Sequence, residues 1–425
     1  MKFDRYIERE MSSVRRVKIE NGVTILFREE GSPGVVSIGC FLRMGSLYEE
    51  DAAAGYSNLL QALMLKGTNR LKSYDLAREL ESLGARTASS SGKELGRTSM
   101  ITITDNLEQS LDLYLEIITD PLLDEEEFEK EKQIAIEEIK RDKDQFLSRA
   151  FTIFQEAFYG THPFHKNVLG YEHTISKAAL SDVKDYYRRF YTPANLVFSI
   201  VGGTDADELI RVIEKYTAGM EHSGSPEPPS DPAVPVRAVD ASSSEYRESE
   251  AAWIVVGFPA PSLDDDLHAA CNVMTAVLGG SMNSRLFMEL REKKALAYQV
   301  SATYNSYLGP SFIAGYIGTS ADRSTEARNS LEKEMKKLAG EGVSDDEVSR
   351  SINYLIGSYM INSELSSALA NRYGRYESLG VGYDFGARYI DALTRVKPAH
   401  IREVASSFLD DPALGAVLPK ELEPR

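Results

Sequence analysis

A proline-rich segment near the middle of the sequence divides the chain into two halves. Five prolines occur in ten residues between Pro226 and Pro235, and Ser, Gly, Asp and Glu are abundant around them. Because proline fixes φ and lacks a backbone donor, such a segment cannot continue a helix or a central strand. We therefore expect a first domain at residues 1–220, a linker at 221–245 and a second domain at 246–425.

The same succession of strands and helices is predicted on both sides of this segment. In the first half, two predicted strands flank Asn21-Gly22, which is a strong hairpin signal. The strands predicted there lie at 15–20, 23–28, 35–43, 98–104 and 196–201, and the helices at about 52–66, 74–83, 107–119, 125–144 and 207–216. In the second half the strands lie at 252–258, 299–304 and 312–319, and the helices at 266–278, 284–294, 325–339 and 345–362. This order predicts an α+β fold of two homologous domains, each an antiparallel sheet packed against helices.

Composition and charge exclude several classes of partner. The net charge is -17, and an acidic surface repels phosphate, so neither nucleic acid nor an anionic membrane is an expected partner. No stretch approaches the roughly 20 apolar residues of a membrane span, and the charged first residues do not form a signal peptide. The two cysteines, Cys40 and Cys271, lie in apolar contexts. A reducing cytoplasm is therefore the expected location.

Residues 55–68 read GYSNLLQALMLKGT and contain the most informative motif of the first half. On a helix, positions 58 and 62 lie one turn apart on one face, with position 61 beside them. Two imidazoles at such positions could bind one metal ion, and a glutamate between them could take a proton from the bound water. The segment resembles the inverted zinc motif, His-x-x-Glu-His followed by Lys-Gly-Thr, of the pitrilysin and mitochondrial-processing-peptidase family.

The residue types at the three essential positions cannot perform this chemistry. Asn58 and Ala62 stand where the family has its two histidines, and Gln61 stands where it has the glutamate. Zinc prefers imidazole, thiolate or carboxylate, and alanine has no donor atom. An amide does not accept a proton at neutral pH. The resemblance is therefore to a member that has lost its metal and its catalytic base, and no cofactor is expected in this chain.

Glutamates on a later helix match the rest of the family's zinc site. The segment 131–139, EKQIAIEEI, places Glu138 76 positions after Ala62, where the resemblance implies the third ligand. Glu131 lies two turns earlier on the same helix face, at the position that supports the site in active relatives. The alternative is that both are solvated charges on a glutamate-rich helix. The segment YTPANL at 191–196 also matches the family.

His162 and His165 have a spacing that is compatible with a metal pair. Pro163 and the turn at Gly160 place them in a loop, and no third donor is near them in the sequence. We expect a hydrogen-bonded or exposed pair instead.

The second half carries an intact family signature. Residues 278–287 read LGGSMNSRLF and residues 290–298 read LREKKALAY, in which Ala295 replaces the family's usual glycine. The resemblance assigns the family's substrate-binding pair to Arg291 and Tyr298. A guanidinium and a phenol can donate hydrogen bonds to a peptide carbonyl or carboxylate. The alternative is that Arg291 is an exposed helix charge and Tyr298 a core aromatic residue.

The resemblance implies a clamshell of such chains around a chamber. In heterodimeric members one chain carries the zinc motif and the other carries the Arg/Tyr pair. We therefore expect the non-catalytic, substrate-binding subunit of a zinc metallopeptidase, with the zinc in a paralogous partner, or else a self-associating chain. The alternative is a structural or peptide-holding protein, like the core subunits of respiratory complexes.

Overall fold

The computed structural model describes residues 13–29, 34–221, 224, 226–228 and 241–424. Its strands are β1 (Val14–Lys18), β2 (Thr24–Arg28), β3 (Val35–Arg43), β4 (Arg86–Ser91), β5 (Leu95–Ile103), β6 (Val197–Gly202), β7 (Ser242–Arg247), β8 (Ala251–Ala260), β9 (Gln299–Asn305), β10 (Ser311–Ser320) and β11 (Ala413–Pro419). Its α-helices are α1 (Tyr56–Met64), α2 (Ser73–Ser82), α3 (Leu107–Thr119), α4 (Glu125–Asp144), α5 (Phe146–Tyr159), α6 (Glu172–Ile175), α7 (Leu180–Phe190), α8 (Ala206–Thr217), α9 (His268–Gly279), α10 (Ser324–Glu341), α11 (Asp345–Asn362), α12 (Ser366–Leu379), α13 (Phe385–Arg395) and α14 (Pro398–Phe408).

The chain forms two compact units, and neither is one continuous stretch of sequence. The first comprises the described residues up to Ile139, those between Lys166 and Pro229, and Met360–Arg388. The second comprises Lys140–His165 and the described residues of 230–359 and 389–425. Most of the predicted linker at 221–245, including residues 229–240, lies outside the described residues, and its last residues begin strand β7.

The first unit is built on a six-stranded sheet in the order β1-β2-β6-β3-β5-β4. The predicted hairpin at Asn21-Gly22 is confirmed, since β1 pairs antiparallel with β2 and Gly22 has a positive φ of 103°. The β2–β6 pair is parallel, and the other pairs are antiparallel. Strand β4 was not predicted from the sequence; its residues, RTASSS, lack the apolar alternation that marks a strand.

Helices cover both faces of this sheet. Helix α1 contacts β4 and β5 on one face, while α12 contacts β3 and β6. Phe41 of β3 packs in one buried cluster with Leu369 and Tyr373 of α12. A side chain at Gly374 would stand 2.2 Å from the Phe41 ring, so this glycine lets the helix lie directly on the ring.

The second unit has a five-stranded sheet in the order β7-β11-β8-β10-β9. Only the β7–β11 pair in it is parallel. Helix α5 lies against β8 and β11, where Gly257 and Gly415 have no side chain to hold Phe154 away from the strands. Helix α10 packs against β8 and β10. The predicted fold class, two α+β domains of sheets packed against helices, is confirmed.

Within the described part of the chain, no helix is both long enough and apolar enough to cross a membrane.

Candidate functional site

Helix α1 carries the three positions that correspond to the inverted zinc motif, 58, 61 and 62. The helix begins at Tyr56, several residues later than predicted, because Gly55 adopts φ 93° and ends the preceding turn. The buried carboxylate of Glu49 fixes this start by accepting hydrogen bonds from the backbone nitrogens of Gly55 at 2.9 Å and Ser57 at 2.8 Å. Burial raises the pKa of Glu49, and these backbone donors oppose that shift.

Gln61 points into the unit and has 1% of its surface exposed. Its amide nitrogen donates to the hydroxyl oxygen of Tyr191 at 2.8 Å. Its amide oxygen accepts from the hydroxyls of Ser89 and, at 3.4 Å, Thr98. Burial raises the pKa of Tyr191, so the phenol stays neutral. The amide is thus enclosed by three neutral hydroxyl groups, and neither its chemistry nor its surroundings permit it to act as a base.

The residues that surround Gln61 were not predictable from the sequence. Tyr191 was visible as the first residue of YTPANL, and Thr98 as part of an alternating strand. Nothing in the sequence connected either residue to position 61. Their convergence depends on α1 lying across β4 and β5 and also against α7, which ends just before Tyr191.

Asn58 and Ala62 lie on the half-buried face of α1. Together they offer one amide and a methyl group, so the donor set does not fit zinc. Among the described residues, no group of three or more His, Cys, Asp or Glu side chains is placed to hold a metal ion. We therefore derive no metal-dependent step on this chain.

The two glutamates of α4 differ in their surroundings. Glu138 is exposed, as the interpretation of solvated charges requires. Glu131 is buried and forms an ion pair with Lys66, at 2.9 Å between Nζ and Oε1. That interpretation is therefore wrong for Glu131. The pair ties α4 to the segment that follows α1.

His162 and His165 are held by nearby backbone groups. The Nδ1 atom of His162 accepts a hydrogen bond from the Phe164 backbone nitrogen at 3.1 Å. The Nδ1 atom of His165 lies 2.9 Å from the His162 carbonyl oxygen. The expected hydrogen-bonded pair is confirmed.

Arg291 and Tyr298 lie in the second unit on consecutive elements. Arg291 is in the π-helix Phe287–Lys293, where its guanidinium carbon stands 5.0 Å from the centre of the Phe287 ring. Tyr298 precedes β9, with its backbone nitrogen bonded to the Gly318 carbonyl at 2.8 Å. Its side chain is 65% exposed, so the alternative of a core aromatic residue is wrong.

The connection between these two residues contains a strained position. Ala295 adopts φ 49°, a conformation that costs a residue with a side chain about 1 kcal/mol. This is the position where the family usually has glycine, and the positive φ supplies the physical reason for that preference.

A half-buried ion pair anchors the π-helix. Arg285 contacts both carboxylate oxygens of Glu347, at 2.7 and 3.0 Å, and also donates to the Gly342 carbonyl at 2.9 Å. Arg285 lowers the pKa of Glu347 to about 2 by hydrogen bonding to its carboxylate. Arg285, the arginine of the Ser-Arg-Leu signature, thus has a structural role, whereas Arg291 is exposed.

Two family models match the sequence. The model described as insulinase (peptidase family M16) matches residues 25–171, and the one described as the peptidase M16 inactive domain matches residues 177–355. An uncharacterized zinc protease of Streptomyces coelicolor is 26% identical over 97% of this chain and 91% of its own length. The uncharacterized zinc protease YmxG of Bacillus subtilis is 26% identical over 96% of this chain and 98% of its own.

Solved structures match the fold over almost the whole chain. A peptidase M16 inactive domain from Pseudomonas fluorescens has a TM-score of 0.87 at 18% identity, covering 96% of this chain and 98% of its own. A protease from Helicobacter pylori has a TM-score of 0.86 at 20% identity, covering 96% and 99%. At these identities the likeness concerns the fold alone. Since the two family models together span most of the sequence, the chain belongs to the insulinase family of peptidases, M16.

Proposed function

We propose that this chain is the metal-free, substrate-binding subunit of a heterodimeric zinc peptidase. The observation that carries the proposal is the contrast between its two units. In the first, Gln61 is enclosed by hydroxyl groups and Ala62 offers no donor, so the α1 site cannot activate water. In the second, the large side chain of Tyr298 stays exposed although burial would stabilise it.

The exposed pair has the chemistry to bind a peptide backbone. The Tyr298 hydroxyl can donate to a peptide carbonyl oxygen, and the donation strengthens as that oxygen becomes negative. The Arg291 guanidinium offers several donors in a fixed plane. In this proposal a zinc-bearing paralogue supplies the metal and the base, and this chain supplies substrate contacts.

We further propose a cytoplasmic location. The support is the state of Cys40 and Cys271, which are both buried free thiols. Burial raises the pKa of both thiols, which keeps them protonated and unreactive.

Co-purification from the native source tests the heterodimer. A tag on this chain should retain a paralogue with an intact His-x-x-Glu-His motif, and the pair should cleave unstructured peptides while either chain alone is inactive. Full activity of the paralogue alone, unchanged when this chain is added, would overturn the proposal. An inactive complex without a zinc-bearing member would favour the structural alternative instead.

A further inference from the structure

A groove of about 320 Å³ lies on the face of the first unit's sheet opposite to Gln61. Strand alternation separates the two faces: the Thr98 side chain reaches Gln61, so Arg97 and Ser99 project to the other side of β5. In the sheet register Arg97 is opposite Phe41, and Ser99 is opposite Gly39. The floor of the groove is thus formed by β3 and β5, and α12 forms its wall.

Small residues of α12 border this space. On the floor the Phe41 ring lies over Gly39, where an added Cβ would stand 2.5 Å from the ring. On the helix side, Ser367, Ala368 and Ala370 contribute only hydroxyl and methyl groups. The Phe41 ring packs directly against Gly374 and so sets the distance between α12 and the strands.

Arg97 places an uncompensated positive charge in this groove. Its Nη1 atom donates to the side-chain oxygen of Asn371 at 2.7 Å. Its Nε atom is buried and has no hydrogen-bond partner among the described residues. Among the described residues no carboxylate forms an ion pair with Arg97, although the protein carries a net charge of -17. The Nε donor of this guanidinium therefore lacks the acceptor that a buried donor normally has.

Other groups around the groove also favour an anion. Ser367 and Ala368 belong to the first turn of the 14-residue helix α12, where the helix dipole is positive. Ser367 supplies a hydroxyl donor, whereas the Ser99 hydroxyl donates to the Ala88 carbonyl at 3.4 Å. Ser37 and Asn371 are also polar, and the other lining residues, including Phe41 and Ala370, are apolar. An occupant of this groove would combine one negative group with an apolar part.

The volume sets the size of that occupant. A cavity of roughly 150 Å³ accommodates benzene, so about 320 Å³ accommodates roughly a dozen non-hydrogen atoms. This corresponds to one acylated amino acid or to the last residue of a peptide.

We propose that this groove binds an organic carboxylate with a short apolar tail. Arg97 binds the carboxylate, the Ser367 hydroxyl orients it, and the tail lies over Phe41. The carboxylate could belong to a free small acid or to the C-terminus of a peptide. The proposal goes beyond the function proposed above, and it requires neither a partner subunit nor the Arg291/Tyr298 pair.

Calorimetric titration of the whole chain with matched ligands tests the site. N-acetyl-leucine should bind saturably, and N-acetyl-leucinamide, which lacks only the charge, should bind at least about tenfold more weakly. The peptide Ala-Ala-Ala-Leu distinguishes the sources: binding equal to that of N-acetyl-leucine indicates a peptide C-terminus, and binding of the small acid alone indicates a free acid. Inorganic phosphate, which has no tail, should bind more weakly than N-acetyl-leucine.

Two variants assign the binding to the groove. Arg97→Gln should weaken N-acetyl-leucine at least about tenfold, because the charged donor is lost. Arg78→Gln removes the same charge from the exposed surface of α2 and should leave affinity unchanged. Ala368→Phe fills the groove without changing the charge and should abolish binding, which keeps the test valid if Arg97→Gln does not fold.

Several outcomes would overturn the proposal. These are equal affinity for the amide, phosphate binding as tight as that of N-acetyl-leucine, retained affinity in folded Arg97→Gln or Ala368→Phe, and no saturable binding of any of the carboxylates.

Discussion

The amide nitrogen of Gln61 donates a hydrogen bond of 2.8 Å to the hydroxyl oxygen of Tyr191. A carboxylate at position 61 could only accept at this contact, so Tyr191 would have to donate its hydroxyl hydrogen instead of accepting. The oxygen side of Gln61 is equally occupied, by Ser89 and Thr98. In place of the family's catalytic base, position 61 therefore carries a neutral amide that is hydrogen-bonded through both its nitrogen and its oxygen.

The first prediction concerns Gln61→Glu. Burial should raise the pKa of the new carboxyl group above its unfolded value of about 4.3, partly offset by the hydroxyl donors. The folded state then favours the protonated carboxyl group. The loss in free energy of unfolding caused by the substitution is therefore small at pH 4, and it grows as the pH rises through and above the unfolded pKa. We expect a destabilisation of about 1–3 kcal/mol at pH 8. Urea unfolding at both pH values measures it.

Gln61→Met serves as the control because methionine has a similar volume and does not titrate. Its cost should be the same at pH 4 and pH 8. A Gln61→Glu chain as stable as the wild type at pH 8 would show that position 61 is hydrated rather than enclosed.

Strongly periodic segments were predictable from the sequence. Strand β3 and helices α3, α4 and α11 have the predicted bounds, because each carries a long hydrophobic pattern with clear ends. The start of α1 was not predictable, because it depends on Glu49 accepting from the backbone of Gly55 and Ser57.

Contacts between distant segments could not be predicted at all. No local pattern indicates that α12, more than 300 residues after β3, covers the first unit's sheet. The groove at Arg97 exists only because of that pairing. The exposure of Tyr298 was equally unpredictable, since an aromatic residue next to a strand can lie either in the core or on the surface.

The second prediction concerns zinc. The purified chain should hold no stoichiometric zinc, because positions 58 and 62 provide no imidazole. Elemental analysis after purification without a chelator measures the metal content. One tightly bound zinc per chain would contradict the expectation.

The third prediction concerns substitutions that should restore a zinc site on α1. Asn58→His, Gln61→Glu and Ala62→His together should create zinc binding, with the exposed Glu138 as the remaining ligand. Adding Glu138→Gln to the triple variant should weaken zinc at least about tenfold. Glu131→Gln is a poorer control because Glu131 pairs with Lys66. A triple variant that binds no metal would place the assignment of Glu138 in doubt.

The fourth prediction concerns the anchor of the π-helix. Arg285 lowers the pKa of Glu347 to about 2, from an ordinary value of 4.5. The pair therefore stabilises the fold fully above about pH 4.5, and this contribution is lost as the pH falls toward 2. Glu347→Gln should cost about 1–2 kcal/mol at pH 7, allowing for partial exposure, and progressively less in acid.

Thermal unfolding between pH 3 and pH 7 measures this difference. Asp346→Asn is the matched control: it removes the neighbouring carboxylate, whose partner Arg350 is exposed, and should change stability by only a few tenths of a kcal/mol. A Glu347→Gln difference that stays constant down to pH 3 would exclude the ion pair as its origin.

The last prediction concerns Tyr298, whose exposed phenol is the most direct candidate for substrate contact. Tyr298→Phe removes one hydroxyl group and leaves the ring, so assembly with a zinc-bearing partner should be normal. If the hydroxyl binds the oxyanion that forms during cleavage, its loss should cost about 2.7–4 kcal/mol, or about 100- to 1000-fold in kcat. Arg291→Ala also removes the contact with the Phe287 ring and is a less clean test. Tyr354→Phe, another exposed tyrosine of the second unit, is the matched control and should leave kcat unchanged. Undiminished turnover in a complex with both Tyr298→Phe and Arg291→Ala would remove the substrate role and leave this chain as a scaffold.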